Sequence, residues 1–474
     1  MIRVGDAAIA PEFPDAAHEA LGNRQLRANV RRATDIIRGK RASVVGETAD
    51  WQQLRESGRQ IKAHVLAHLD TYLTRFEENC TRAGGHVHWA RDADEANRII
   101  VSIIRSHGET EVIKVKTMTS DETRLNTALE AAGIAPYETE LADLIIQLGL
   151  DKPSHIVVPA LHRNRAEIRA IFERTMGLGD PGGEPEDLAR AARQFLREKF
   201  LRVKVGFSGA NFIMADTGAV CVVESEGNGR MCVTLPRVLV TLVGIEKVIP
   251  SLADLEVFLQ LLPRSATGER MNPYNSIWTG TGGKDGPEEF HVVLLDNGRS
   301  TVLADPVSRE TLHCIRCAAC LNACPVYRET GGHAYGSIYS GPIGAILTPQ
   351  LQSLEHSTSL PYASSLCGAC YEVCPVKIDI PEILIHLRRR IVEEQQPRAE
   401  RLAMNSAALA FSGPGWLSLA QKLGRLAQWP FAEGGRITSL PGPGAAWTAT
   451  RDLPALPKQS FREWWKTRGR EEPR

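Results

Sequence analysis

Two short runs of cysteines constrain this 474-residue chain more than any other part of its sequence. The first run follows the pattern CxxCxxCxxxCP and contains Cys314, Cys317, Cys320 and Cys324. The second run ends with the same spacing and contains Cys367, Cys370 and Cys374. A proline closes each run, at Pro325 and Pro375, and Ser364 stands where the second run would have its first cysteine. This spacing is typical of proteins that hold [4Fe-4S] clusters.

The two runs are expected to exchange ligands, because in two-cluster proteins the fourth cysteine of each run binds the other cluster. The first ligand set is then Cys314, Cys317, Cys320 and Cys374. The second ligand set is Cys324, Cys367 and Cys370. Since the second set is one thiolate short, Ser364, Ser365, water, a partner residue or a substrate could complete it, or the cluster could be [3Fe-4S]. We predict two iron-sulfur clusters, most simply [4Fe-4S], the second with three cysteine ligands, and expect loss of either cluster to destabilise both.

Zinc is the alternative occupant of closely spaced cysteines. Zinc would use two CxxC pairs and leave the third close cysteine and both Cys-Pro corners without a role, so the spacing favours iron-sulfur clusters. Seven of the ten cysteines lie in the two runs. Cys221 and Cys232 lie on predicted strands, where free cysteine usually serves as a small buried hydrophobic residue.

The charge balance excludes several classes of protein. Lys and Arg together number 56, as do Asp and Glu, so the formal net charge is zero. Neither a nucleic-acid-binding protein nor a polybasic membrane-surface protein is expected to have this balance. The longest apolar stretch, around residues 238–245, is far shorter than the roughly 20 residues of a membrane-spanning helix. The amino terminus lacks the apolar core of a signal peptide, so we expect a cytoplasmic protein whose cysteines stay reduced.

The hydrophobic pattern divides the chain into four regions. Residues 1–80 show helical periodicity. Between residues 81 and 303, short β-branched runs such as Val112–Lys116 and His155–Pro159 alternate with helical segments, which predicts an α/β domain with a mixed, mainly parallel sheet. Residues 304–396 contain the cysteine runs and a helix that leaves the second run, capped by Asp379, which indicates a small α-helical ferredoxin domain. Residues 397–474 are rich in Pro and Gly and predict an extended tail with aromatic anchors at Phe461, Trp464 and Trp465.

Several motifs give the chain a family resemblance. They are residues 114–122 (KVKTMTSDE), 153–162 (PSHIVVPALH), 209–218 (GANFIMADTG), the two cysteine runs in their order, and 461–465 (FREWW). Together they resemble the iron-sulfur subunit of the bacterial three-component L-lactate utilisation system, the lactate utilisation protein B family, and the resemblance covers nearly the whole chain. One departure lies at residues 138–143, which read ETELAD here and more often ETDLGE in the family.

The resemblance implies a fold, a role and partners. The α/β region would be a lactate-utilisation domain similar in fold to sugar-phosphate isomerases and CoA-transferases, and a helical ferredoxin domain with two clusters would follow it. The protein would carry electrons while L-lactate becomes pyruvate, together with two other lactate-utilisation subunits. The sequence has no nicotinamide or flavin motif, because the glycine-rich loop at residues 279–286 departs from both nucleotide-binding patterns.

Two alternatives to electron transfer remain open at this point. In one, the α/β domain is itself catalytic and binds a small anionic substrate near Lys114, Lys116 and the loop at residues 209–218, with His155 and His162 as candidate bases and the clusters accessory. In the other, the clusters are structural, as in some nucleic-acid enzymes, although the zero net charge and the absence of a basic stripe disfavour that role.

Overall fold

A computed structural model describes residues 12–177, 179–281, 285–395 and 398–468 of the chain. The chain divides into two compact units, Met1–Ile391 and Val392–Arg474. Residues 282–284 of the glycine-rich loop lie outside the described residues. Among the helices that are described, none is both long and apolar enough to cross a bilayer.

The amino-terminal region is helical because its apolar residues recur on one side of each helix. Its helices are α1 (Phe13–Gly22), α2 (Arg24–Gly46), α3 (Trp51–Ala67) and α4 (Leu69–Arg82). The side chain of Asn23 caps α2 by accepting a hydrogen bond from the Leu26 N–H at 3.0 Å. Val30, Trp51 and Phe76 are buried on the inner faces of these helices.

The strands of the central region form two sheets. They are β1 (His86–Ala90), β2 (Glu111–Lys114), β3 (Ala135–Glu138), β4 (Val205–Ser208), β5 (Phe212–Met214), β6 (Ala219–Glu224), β7 (Val238–Gly244), β8 (Val248–Ile249), β9 (Tyr274–Trp278) and β10 (Glu289–Leu295). In the described chain, the larger sheet has the order β1-β10-β7-β4-β2-β3 and all its neighbours are parallel. The smaller sheet, β8-β5-β6-β9, contains antiparallel pairs and one parallel pair. The predicted α/β class with a mixed, mainly parallel arrangement is confirmed.

Helices connect the strands of the central region, and several of them bury the faces of the larger sheet, as parallel strands require. They are α5 (Ala93–Ser106), α6 (Met118–Glu122), α7 (Leu125–Ala131), α8 (Leu141–Leu148), α9 (Arg165–Thr175), α10 (Pro185–Arg202), α11 (Asn228–Thr234), α12 (Leu252–Ala266) and α13 (Arg299–Ala304). Ile100 and Ile104 of α5 pack into one core with Phe207 and Val240 of the sheet. All four side chains are fully buried.

The strand predicted at His155–Pro159 is wrong, since these residues form an irregular loop. The reason is local hydrogen bonding by a side chain. The ring Nδ1 of His155 accepts the backbone N–H groups of Val157 and Val158 at 3.1 and 3.0 Å. Because a strand would need those donors for a neighbouring strand, the histidine ring holds the segment in a turn.

The cysteine-rich region adds short helices. They are α14 (Ala319–Ala323), α15 (Tyr327–Thr330), α16 (Gly341–Leu351), α17 (Ala369–Val373) and α18 (Ile380–Gln395). Short 3₁₀ helices lie at Ser308–His313, His333–Tyr335 and Leu360–Tyr362. Val30 of α2, Phe258 of α12 and Leu384 of α18 share one hydrophobic core, so the amino-terminal helices and the cysteine-rich region fold together.

The unit Val392–Arg474 is not the extended tail that its Pro and Gly content predicted. It contains α19 (Arg398–Phe411), α20 (Pro414–Ala427), β11 (Ala432–Glu433), β12 (Arg436–Ile437), α21 (Pro443–Thr448), β13 (Leu453–Pro454) and α22 (Phe461–Arg468). Pro414 begins a helix, a position where its missing N–H costs nothing. Arg425 of α20 bonds Glu463 of α22 at 2.9 Å, and the rings of Phe461, Trp464 and Trp465 pack on one another.

A buried ion network joins the carboxyl ends of the sheet to the cysteine-rich region. Arg299, which is 1% exposed, donates to Glu246 at 2.5 Å and to both carboxylate oxygens of Glu122 at 2.8 and 2.9 Å. Tyr339 donates its hydroxyl to Glu122 at 2.6 Å, and Arg316 lies 3.4 Å from Glu246. Burial alone would raise the pKa of Glu246, but Arg299 and the neighbouring cations lower it to about 2.

Replacing Arg299 should therefore destabilise the protein strongly. In an Arg299→Met variant, Glu122 and Glu246 lose their shared partner, and a buried charge left without one costs about 3–5 kcal/mol. Urea unfolding of the anaerobically purified protein measures the loss. An Arg237→Met control removes the exposed pair with Glu288 and should shift the midpoint little. Equal midpoints for the two variants would contradict this interpretation of the network.

Candidate functional site

The two cysteine runs fold into the same local structure. In the first run, Arg316 and Ala318 adopt positive φ angles of 62° and 60° before the five-residue helix α14. In the second run, Leu366 and Gly368 adopt φ angles of 55° and 83° before the five-residue helix α17. The last cysteine of each run directly follows its helix, and α14 packs against α17. The sequence repeat is therefore a structural repeat.

The first predicted ligand set comes together around one cavity. The cavity is lined by Cys314, Cys317, Cys320 and Cys374. Apolar side chains complete the wall, among them Ile343, Val376 and Ile378. Cys374 belongs to the second run, so the structure brings it across to the cysteines of the first run, as the predicted exchange requires.

The second predicted ligand set also lies together. Burial raises the pKa of the Cys324 thiol, and the nearby Cys367 raises it further. Burial raises the pKa of Cys370 to about 12, with Cys324 and Cys367 adding to the shift. Burial raises the pKa of the Cys320 thiol, and Cys370 raises it further together with the cysteines of the first set, so the two ligand sets are neighbours. Cys367 is exposed, whereas Cys324 and Cys370 are buried.

The spacing of the sulfur atoms distinguishes between the two kinds of metal group. All seven cysteines of the runs lie in the described chain, and no three of their sulfurs fall within 4.8 Å of one another. Four thiolates on one zinc ion, each about 2.3 Å from the metal, would lie about 3.8 Å apart. In the described chain, the cysteine sulfurs therefore do not form the close group that a single zinc ion needs.

Backbone N–H groups point at the sulfurs, as cluster ligands require. Arg316 donates its N–H to the sulfur of Cys314, and Ile378 donates to Cys374, each at 3.4 Å. Burial raises the pKa of Cys374 to about 11, while the N–H groups of Ile378 and Val376 oppose the shift. These donors stabilise thiolate over thiol, so the donor set suits a bound cluster.

A shell of buried and half-buried cations surrounds the first ligand set. Arg55 donates to the carbonyls of Cys374 and Tyr371 at 2.8 and 3.0 Å, and Arg41 donates to the carbonyl of Val373 at 3.0 Å. Burial lowers the pKa of Arg41, whereas the thiols of Cys317 and Cys374 act in the opposite direction.

Two lysines complete this shell. Burial lowers the pKa of Lys62 to about 7 and that of Lys247 to about 8, and the nearby Cys314 raises both. No local sequence signal identifies Arg41, Arg55 or Lys62 as neighbours of the cavity, because each lies some 250 residues or more before the cysteine runs. Only the fold brings them to the cavity.

Ser364 occupies the position that corresponds to Cys314. Its Oγ accepts the N–H of Leu366 at 3.1 Å, just as the sulfur of Cys314 accepts the N–H of Arg316 two residues on. The Ser364 carbonyl accepts a bond from Arg388 at 3.3 Å. The loop is thus preserved, and the hydroxyl stands where the second ligand set lacks a thiolate.

The cysteines outside the runs are buried in apolar surroundings. Cys80, Cys221 and Cys232 are fully buried, and burial raises the pKa of each to about 12. The prediction that Cys221 and Cys232 are small buried residues is confirmed. The predicted strand position holds for Cys221 on β6 but is wrong for Cys232, which lies on the helix α11.

The lysines proposed for anion binding are already paired. Lys114 is 1% exposed and donates to Glu138 at 2.6 Å and to Asn126 at 2.5 Å. Lys116 donates to the carbonyl of Val157 at 3.1 Å and lies 3.7 Å from Glu140. An anionic substrate would meet carboxylates here, so the structure does not leave Lys114 free to bind one.

Carboxylates dominate the carboxyl ends of β2 and β3. Burial and the charge of Asp143 raise the pKa of Asp121 to about 7. Burial also raises the pKa values of Asp143, Glu140 and Glu226. These shifts show that the negative groups are crowded and only partly compensated by Lys116.

The two candidate bases have structural partners. His155 is 2% exposed, burial lowers its pKa to about 3, and its Nε2 faces Asn322 at 3.2 Å. His162 bonds Ser154 at 2.7 Å and Asp151 at 2.8 Å. Both histidines hold the loop at residues 151–164 against the cysteine-rich region, which explains their positions without a catalytic role.

Three family models match successive parts of the chain. They are the LUD domain at residues 73–295, the 4Fe-4S dicluster domain at residues 310–378, and the carboxyl-terminal domain of lactate utilisation protein B at residues 388–470. The dicluster match contains both cysteine runs, so the region is an iron-sulfur domain. The LUD match contains both sheets.

Curated relatives match over nearly the full length. Lactate utilization protein B of an Exiguobacterium species is 46% identical over 97% of this chain and 98% of the relative. Lactate utilization protein B of Bacillus subtilis is 43% identical over 96% of each chain. A DUF162 family crystal structure from Deinococcus radiodurans covers 48% of this chain and 98% of its own, at 12% identity and a TM-score of 0.27.

The cation shell predicts the effect of one charge on the first cluster. An Arg55→Gln variant should have a more negative reduction potential there, because reduction adds negative charge that the guanidinium stabilises. One charge at about 10 Å and an effective dielectric constant of 20 contributes on the order of 50–100 mV for a one-electron couple.

Redox titration followed by EPR measures this change. The potential of the second cluster in the same variant is the internal control and should change less. If the reduction potential of the first cluster were unchanged or more positive in this variant, the proposed role of the cation shell would be contradicted.

Proposed function

Because the chain belongs to the lactate utilisation protein B family, we propose that it carries electrons during the oxidation of L-lactate to pyruvate. It is an iron-sulfur protein of lactate utilisation, and we propose that it acts in the cytoplasm with two other lactate-utilisation subunits. The observation that carries the proposal is the convergence of Cys374 with the first cysteine run in one buried cavity beside a second, partly exposed group of thiols.

We assign ligands to two clusters. The first is held by Cys314, Cys317, Cys320 and Cys374. The second is held by Cys324, Cys367 and Cys370. Bound clusters would supply one-electron transfer, the chemistry needed wherever the two electrons of lactate pass singly to an acceptor. The neighbouring positions of Cys320 and Cys370 support a short path between the two sites.

The protein's own residues prepare the two sites differently. Ile343 and Ile378 line the first with apolar surface, and the cations around it would offset the charge of its thiolates. The second opens to the surface at Cys367, where Leu366 and Tyr371 are 37% and 42% exposed. We propose that a partner subunit exchanges electrons with the second site at this exposed face. Electrons would reach the buried first site through the second.

Anaerobic reconstitution with the neighbouring subunits tests the function. Adding L-lactate should bleach the visible absorbance of the clusters only when the partner proteins are present, because the candidate anion-binding residues Lys114 and Lys116 are already paired with Glu138 and Glu140. The isolated chain with lactate is the control. No bleaching in the complete mixture would contradict electron transfer, and turnover of lactate by the isolated chain would favour a catalytic α/β domain instead.

The three-thiolate second cluster predicts a distinct response to oxidation. Mild oxidation of the native protein should release one iron and produce the EPR signal of a [3Fe-4S] cluster. A Ser364→Cys variant should resist this conversion, since its new sulfur would stand where the corresponding Cys314 stands in the first run.

Ser365→Cys is the matched control for that variant. Ser365 is also a candidate from the sequence, but it is exposed and corresponds to Ile315 of the first run rather than to a cysteine, so its substitution should leave the conversion unchanged. Equal behaviour of native protein and the Ser364→Cys variant would contradict the assignment of the open position.

A further inference from the structure

Several histidines lie at the amino-terminal ends of two neighbouring strands of the larger sheet, the ends opposite the cysteine runs. His86 and His88 lie on β1, and Glu289 and His291 lie at the start of β10, which pairs with β1 in parallel. His107 directly follows α5, which packs against both strands. Side chains from three elements therefore meet at one point.

Among the described residues, His107, Glu289 and His291 bring their ligand atoms within 4.8 Å of one another. The Nε2 of His107 lies 3.3 Å from a carboxylate oxygen of Glu289, and the Nε2 of His291 lies 3.5 Å from the same oxygen. Both separations exceed those of good hydrogen bonds. They match the distance of about 3.3–3.4 Å between two ligand atoms that each lie about 2.0–2.1 Å from a tetrahedral zinc ion.

The His291 ring is the most informative member of this group. The residue is only 9% exposed, yet its Nε2 has no hydrogen-bond partner. Its other nitrogen, Nδ1, lies 3.1 Å from the Nε2 of His88. A metal-binding histidine has this arrangement, because a hydrogen bond at one ring nitrogen fixes the ring and leaves the lone pair of the other for the metal.

A second histidine group in the same chain lacks these features. Asp151, His162 and His333 also bring their ligand atoms together. There, His162 makes a direct bond to Asp151 at 2.8 Å, and Arg163 neutralises the same carboxylate with a bond at 2.9 Å. His333 is bonded to the carbonyl of Lys152 at 2.8 Å. Direct hydrogen bonds therefore account for the positions of the side chains in that second group. No such bond accounts for the Nε2 of His291.

We propose that His107, Glu289 and His291 bind one divalent transition-metal ion of the zinc class, with the fourth position open to water or a small ligand. Two imidazoles and one carboxylate form a donor set that suits zinc and leaves such a position. Access comes from the outer side, since the side chains of Glu289 and His107 are 46% and 25% exposed. His88 is a positioning residue that holds the His291 ring. This site is independent of the cluster assignments and of the proposed function.

Zinc retention by the cluster-loaded full chain tests the proposal. The protein is equilibrated anaerobically with zinc chloride and desalted, and its zinc and iron contents are measured by mass spectrometry. The native chain should retain about one zinc per chain with unchanged iron. X-ray absorption at the zinc edge should show nitrogen and oxygen ligands at about 2.0–2.1 Å, whereas zinc captured by cluster cysteines would show sulfur at about 2.3 Å.

Variants identify the ligands. His107→Gln and Glu289→Gln change partly exposed side chains and should weaken zinc binding at least tenfold, and His88→Gln should weaken it about 10–100-fold by releasing the His291 ring. His64→Gln is the control, because His64 is an exposed histidine bonded to Tyr72 and belongs to no such group. Zinc held by sulfur, no zinc held by the native chain, or equal retention by His107→Gln and His64→Gln would overturn the proposal.

Discussion

The negative charge that four converging thiolates bring into the interior is the constraint on which the rest of the structure depends. Cations from distant parts of the chain compensate it, namely Arg41 of α2 and Arg55 and Lys62 of α3. Arg316, between two of the cysteines, lies beside Glu246, which in turn bonds Arg299. The charge balance of the cavity is thus continuous with the network that fastens the cysteine-rich region to the sheet.

The two proposed ligand sets have unequal surroundings. This difference would give electron transfer between the two sites a direction. The first set is enclosed by apolar side chains and cations, and its loop is tied to the sheet. The second set reaches the surface at Cys367 and has a serine at the position equivalent to Cys314. An inner site and an outer site follow from one duplicated loop, with a single substitution and a different degree of burial.

The sequence predicted what depends on local spacing. The cysteine runs have the ligand pattern within a few residues, so both ligand sets could be named, and the α/β class followed from alternating short strands and helices. Contacts between distant segments could not be predicted from the sequence. For example, nothing in the sequence around Arg55 indicates that its side chain bonds the carbonyl of Cys374, 319 residues away. The loop at His155 and the helix at Pro414 were missed because the two hydrogen bonds of one histidine ring and one helix-starting proline outweighed the regional pattern.

Mössbauer spectroscopy of the anaerobically purified full chain, grown on an enriched iron isotope, tests most directly whether two interlocked and unequal sites exist. The account predicts two clusters: one whose irons are all in thiolate ligation, and one in which a single iron differs from the others or is absent. A spectrum of two identical all-thiolate clusters, or of one cluster only, would contradict it.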